Sequence, residues 1–185
     1  MVMGVIVVAG VPGVGKTSVL DGVSRKTGIK VVIFGTVMYE IAKERGLVEH
    51  RDEIRKLPSD VQRQLQEEAA ERIREMGDVI VDTHMLIRTP AGFLPGLPYS
   101  VLMKLSPSKI ILIEADPREI LRRRVKDDTR IRDMESEKEI ADHQLMNRIA
   151  ALIYGILSGA FVAIVMNKDG MLEKAVEEVV RIIKS

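Results

Sequence analysis

The chain has 185 residues, 46% hydrophobic and 30% charged, which suits one globular domain with a substantial core. Its net charge of +1 gives no global attraction to nucleic acid or to an anionic membrane, so any basic recognition has to be local. The lack of cysteine excludes disulfides and thiolate metal sites, and 3% aromatic content argues against stacking platforms for single strands.

The first apolar run, Gly4-Val5-Ile6-Val7-Val8-Ala9, reads as a buried strand over Val5–Ala9. After it comes G-V-P-G-V-G-K-T, Gly10 to Thr17. This is a complete phosphate-binding loop, with Gly10, Gly15, Lys16 and Thr17 at the required offsets. A helix expected at Thr17–Lys26 completes the strand, turn and helix that the motif needs. The glycines let backbone N–H groups turn onto phosphate oxygens, and the helix N-terminus adds its positive dipole end. Lys16 suits the β- and γ-phosphates, and Thr17 can offer its hydroxyl to Mg²⁺. The competing reading is a turn that is Gly-rich by chance, and the flanking elements weigh against it.

Further strands are expected at Lys30–Phe34, Val79–Asp82, Lys109–Glu114 and Phe161–Met166. Each is a near-continuous apolar run, as when both faces of a sheet are covered. Helices are expected at Thr36–Arg45, Pro58–Met76, Tyr99–Leu105, Pro117–Lys126, Glu137–Leu157 and Met171–Lys184. Thr89 to Pro98 reads as a loop, with Pro90, Pro95 and Pro98 excluding regular structure. The alternation predicts an α/β fold with a parallel sheet and right-handed crossovers. The uncharged stretch Ile149 to Met166 is long enough to raise the question of a membrane span. Gly155 and Gly159 interrupt it, so it reads as a buried helix running into a buried strand. Met1 to Ala9 is too short for a signal peptide, and a cytoplasmic protein with no membrane association is expected.

Ligands of such sheets sit beyond the carboxyl ends of the strands. That rule selects Gly35-Thr36, Asp82-Thr83-His84, Asp116 and Asn167-Lys168-Asp169-Gly170. A carboxylate at Asp82 can hold Mg²⁺ through water and complete what Thr17 begins, or it can merely cap a turn. Arg118, Arg122, Arg123, Arg124, Lys126, Arg130 and Arg132 form a basic segment. It can clamp transferring phosphate, line a solvated helix, or contact nucleic acid, although no aromatics interleave the arginines. Thr36 suits an acceptor's polar groups or a helix cap, and Arg51 or Arg55 suits an acceptor phosphate or is surface charge. His50, His84 and His143 lack a metal-ligand spacing. Asn167-Lys168-Asp169-Gly170 puts its carboxylate one place early for the guanine-reading N-K-x-D pattern, and no DFG or HRD set is present.

Several blocks together resemble the archaeal-type adenylate kinases, members of the nucleoside monophosphate kinases. The first are the loop at Gly10 to Thr17, F-G-T-V-M at Phe34 to Met38 and R-D-E-I-R-K-L at Arg51 to Leu57. V-D-T-H at Val81 to His84, T-P-A-G-F-L-P-G-L-P at Thr89 to Pro98 and D-D-T-R-I-R-D at Asp127 to Asp133 follow. H-Q-L-M-N-R at His143 to Arg148 and A-L-I-Y-G-I-L-S-G-A at Ala151 to Ala160 complete the set. The resemblance runs nearly the whole length. It implies a three-layer P-loop fold around a five-stranded parallel sheet. It implies transfer of the γ-phosphoryl group of ATP to AMP with Mg²⁺, giving two ADP. It places an AMP-binding helical segment at about 35–75 and a short lid at about 126–136. By similarity, Gly10, Val11, Pro12, Gly13, Val14, Gly15, Lys16, Thr17 and Ser18 bind ATP, with Arg124 beside its base. Thr36, Arg55 and Arg88 lie near AMP, and Arg130, Arg132 and Arg148 join Lys16 at the transferring phosphate. Thr17 and Asp82 form the metal site. Members of this type often form trimers, so a homo-oligomer is implied. Two alternatives stay open at this point: a kinase for another nucleoside monophosphate, and a P-loop ATPase acting as a switch or an RNA-maturation factor.

Overall fold

The computed structural model describes residues 4–126 and 135–185. In chain order the elements begin with β1 (Val5–Ala9), α1 (Lys16–Thr27), β2 (Lys30–Ile33), α2 (Phe34–Glu44), a 3-10 turn (Arg51–Lys56), α3 (Ser59–Glu75) and β3 (Val79–Asp82). They continue with β4 (Leu86–Thr89), β5 (Gly92–Pro95), α4 (Tyr99–Leu105), β6 (Lys109–Glu114), α5 (Pro117–Lys126), α6 (Glu137–Ser158), β7 (Phe161–Met166) and α7 (Leu172–Lys184). The main sheet has five strands in the order β2-β3-β1-β6-β7, and every pairing is parallel.

Strand β1 lies at the centre and is buried along its whole length. Alternation divides its side chains between two cores. Val5, Val7 and Ala9 join the residues of α2, α3, α4 and the middle of α6, whereas Ile6 and Val8 join those of α1, α5 and α7. Helices therefore cover both faces, and the loop after β1 emerges at the middle of the sheet's carboxyl edge. The packing of α1 against α7 is close enough that a methyl group on Gly22 would stand 2.6 Å from Val176.

Three expectations need correction. Phe34 opens α2 instead of ending β2, so the strand runs into the helix with no intervening loop. The periodic signal cannot separate these states, because Phe34 is buried in either one.

The stretch Thr89 to Pro98 is not all loop: β4 and β5 form an antiparallel hairpin. Pro90 sits in its turn and Pro95 at the end of its second strand, both places where a ring without an N–H is tolerated. The Thr89 hydroxyl donates to the Gly92 carbonyl and accepts from the Ala91 N–H, which closes the turn.

The stretch Ile149 to Met166 is not a buried helix and a buried strand. The face of α6 with Ala150, Ala151 and Tyr154 packs inward, while Leu152, Ile153 and Ile156 are exposed, and β7 is an exposed edge strand. Among the described residues no helix is long and apolar enough to cross a membrane.

Candidate active site

The phosphate-binding loop leaves β1 and enters α1 through Gly13 and Gly15, whose φ angles of 88° and 85° lie in the left-handed region. Only glycine adopts that conformation without steric cost. Gly15 is the N-cap of α1, so the helix begins at Lys16 with its dipole directed at the loop.

The Lys16 ammonium does not hang free. It pairs with the Asp82 carboxylate at the end of β3 and donates to the Thr83 carbonyl at 2.8 Å. The adjacent strands β1 and β3 are in register from Val5 with Val79 to Val8 with Asp82, which brings the two ends together. Thr17 and Ser18 are exposed in the first turn of α1.

A cleft of about 700 Å³ opens above the loop. Its walls include the loop from Gly10 to Thr17, Asp82, Thr83 and His84 after β3, Ile33 and Gly35 at the junction of β2 and α2, and Arg51 and Arg123. Arg51 reaches across to donate to the Thr36 hydroxyl at 3.4 Å. His84 has an edge open to the cleft. Protein around the rest of the ring, and then the Lys16 ammonium, pull its pKa below the usual imidazole value, so it is neutral at pH 7.

Two arginines of α5 grip the loop from outside. Arg123 donates to the Val14 carbonyl at 3.1 Å and to the Asn167 carbonyl at 2.9 Å, and Asp169 holds its guanidinium. Arg124 donates to the Pro12 carbonyl at 2.8 Å and pairs with Glu135.

The protein matches the family model described as AAA domain over residues 9–141. The adenylate kinase of Thermoplasma acidophilum is 54% identical over 177 residues, covering 96% of this chain and 97% of its own. The chain belongs to the adenylate kinase family. The adenylate kinase of Methanocaldococcus jannaschii is 52% identical, with 97% of this chain and 98% of that one covered. A crystal structure of shikimate kinase from Bacteroides thetaiotaomicron superposes with a TM-score of 0.62 at 14% identity, covering 98% of this chain and 99% of that one. That likeness shows the fold alone: a P-loop kinase fold around a parallel sheet.

Within the adenylate kinase frame, the arginines are sorted by what they touch. Arg88, on β4, binds Glu135 at 2.7 Å and Glu139 at 2.6 Å. Glu135 thus joins Arg88 to Arg124. Burial raises the Glu135 pKa, but the two guanidiniums outweigh it and the net shift is downward. Arg148 lies elsewhere. It forms a two-pronged pair with Glu114 at 2.8 and 2.5 Å, on the wall of a second cavity of about 610 Å³.

Arg55 is exposed on the 3-10 turn and does not line the cleft, whereas Arg51, at the start of the same turn, does. Arg130, Arg132 and most of the segment 126–136 lie outside the described residues. In sequence Arg123 is one arginine in a charged run, and Asn167 stands at the start of a broken guanine-reading pattern. The strand-end rule already pointed at Asn167.

Proposed function

We propose that the protein transfers the γ-phosphoryl group of ATP to AMP by direct in-line displacement, with Mg²⁺, giving two ADP. It is a nucleoside monophosphate kinase by family, and the finer assignments rest on the cleft. The observation that carries them is continuity: one cavity runs from Lys16 and the loop to Gly35 and Arg51. A donor phosphate at the loop and an acceptor phosphate near Arg51 then share one solvent space, as in-line transfer requires. Arg51 is the acceptor-side arginine the geometry favours, with Thr36 beside it and Arg55 farther out.

The residues Gly10 to Ser18 hold the donor, with Lys16 leaving Asp82 for the β- and γ-phosphates. Catalysis is positioning and electrostatics, with no covalent intermediate on the enzyme. Neutral His84 can accept or donate a hydrogen bond without adding charge. Substrate phosphates compete with Glu135 for Arg88 and Arg124, which moves both arginines toward the nucleotides, Arg124 on the ATP side and Arg88 on the AMP side. By family resemblance Arg130 and Arg132 complete the charge clamp, and keeping water from the reacting phosphate removes a rival acceptor.

The metal fits as a partner of the nucleotide. Among the described residues no group of three or more His, Cys, Asp or Glu stands ready to hold a cation. Asp82 and the Thr17 hydroxyl border the loop, and Mg²⁺ in such sites takes one or two protein groups together with phosphates and waters. When bound, the ion neutralises charge on the phosphate oxygens.

The test is ADP production from ATP with AMP, CMP, UMP, GMP or no acceptor. Rapid formation with AMP alone is expected. Dominant hydrolysis without an acceptor would sink the reading, and equal rates with another monophosphate would reassign the acceptor.

The same reading includes a cytoplasmic homo-oligomer, with a trimer as the expected form. Ile156 is 82% exposed and Phe161 77%, and Leu152 and Ile153 extend the apolar surface beside edge strand β7. Monomers seldom leave an apolar edge of this kind open to water. Sedimentation is expected to give a multiple of the single-chain mass, and Ile156→Glu to reduce it. A single-chain mass for the unaltered protein contradicts this part.

A further inference from the structure

We infer that Asn167 is a positioning residue for the donor phosphates, acting through the Val14–Gly15 peptide of the phosphate-binding loop. Asn167 directly follows the last residue of β7, and its N–H donates to the Glu114 carbonyl at 2.7 Å, extending the β6–β7 ladder. Its backbone is therefore set by the sheet. The residue is buried, at 5% exposure, and its side-chain amide donates to the Val14 carbonyl at 2.9 Å. Arg123 donates to the same oxygen at 3.1 Å and to the Asn167 carbonyl at 2.9 Å. Asp169 accepts from Arg123 at 2.6 Å, and its own N–H donates to Glu119 at 3.2 Å. One loop carbonyl thus receives two donors, each fixed from a different element.

The consequence follows from peptide geometry. Among the described residues no peptide bond is cis, and in a planar trans peptide the C=O of one residue and the N–H of the next point in opposite directions. Pinning the Val14 oxygen toward Asn167 and Arg123 turns the Gly15 N–H the other way, toward the cleft side where a phosphate is bound. A phosphate-binding loop works only if its N–H groups are aimed before the anion arrives, because reorientation would cost binding energy. The outer side of Gly15 is also filled: a methyl group there would stand 2.5 Å from the Asn167 amide nitrogen. Asn167 and Gly15 are matched to each other, the one supplying the anchor and the other the room for it.

A purely structural asparagine would predict something different. Its loss would lower the melting temperature and disturb both nucleotides alike. A positioning role predicts a split between donor and acceptor, because the acceptor walls at Gly35 and Arg51 do not touch Asn167. The inference rests on the donor lying at the phosphate-binding loop. Failure of that reading would show in the unaltered protein as absence of AMP-dependent ADP formation, whereas the test of Asn167 is a ratio between variant and unaltered enzyme.

The experiment is steady-state kinetics of Asn167→Ala and Asn167→Asp, with ATP and AMP varied separately and melting temperatures recorded. The KM for ATP is expected to rise about tenfold, the loss of one buried anchoring hydrogen bond, while the KM for AMP stays within about twofold. An unchanged KM for ATP, or equal rises for both nucleotides, overturns the proposal. A second measurement needs no variant. In the unaltered protein the Asn167 side-chain NH₂ should exchange slowly with solvent and its resonance should shift when ADP is added. Fast exchange, or no shift, overturns the proposal equally.

Discussion

Turnover of the Lys16→Ala variant is expected to fall by about a thousandfold, the usual cost of removing one preorganised charge from a site where negative charge develops. The structure explains why a large effect on rate need not come with loss of the fold. Lys16 is held by Asp82 and by the Thr83 carbonyl, and all three residues line the cleft. The lysine contributes nothing to either apolar core. Its removal leaves Asp82 beside a solvent-filled space, so the carboxylate can hydrate and the melting temperature should change by no more than a few degrees. Kinetics of the purified variant, with a thermal melt as control, check both halves. Near-normal turnover would refute the role of Lys16, and collapse of the melt would show that the pair with Asp82 is structural.

Arg148→Ala is expected to act mainly on stability. Glu114 ends the buried strand β6 with its side chain only 4% exposed, and Arg148 supplies its two-pronged charge partner. Stripping the partner leaves a carboxylate in a poorly hydrated position. Breaking a fully buried pair costs about 3–5 kcal/mol, but here the arginine is half exposed and water screens the pair. A loss of about 2 kcal/mol is the discounted figure, which for a domain of this size lowers the melting temperature by about 4–8 °C. The double variant E114Q/R148M should recover most of that loss, because no unpaired charge remains. Should Arg148→Ala instead melt normally and lose turnover, Arg148 works chiefly at the phosphates and its bond to Glu114 is a resting position. The same experiment therefore decides between the role implied by family resemblance and the role seen in the structure.

The central part of the architecture is local and could be read from the residues. The loop Gly10 to Thr17 is a contiguous pattern whose chemistry depends on spacing alone, and the flanking apolar run can only be a strand covered on both faces. Strands β1, β3, β6 and β7 begin and end where their apolar runs do. What escaped is non-local. The hairpin of β4 and β5 hides behind its prolines because their cost depends on whether they sit in a turn or at a strand end. The exposure of β7 depends on its being an edge strand, and sheet order is not written in the strand itself.

The arginines make the same point more sharply. As residues in a charged helix, Arg122, Arg123 and Arg124 are equivalent to a reader of sequence. In the fold Arg122 pairs with Asp169 near the surface, Arg123 braces the Val14 carbonyl, and Arg124 holds the Pro12 carbonyl and Glu135. Asn167 and Val14 are 153 positions apart, yet one hydrogen bond joins them. The sequence by itself determined a complete phosphate-binding motif between a buried strand and a helix, and by resemblance the family to which the chain belongs. Only the tertiary structure decided which cation faces the cleft and which is consumed by a carboxylate. A side chain's spacing sets the face of its own helix, but its partner is set by how the helices and strand ends pack around the sheet.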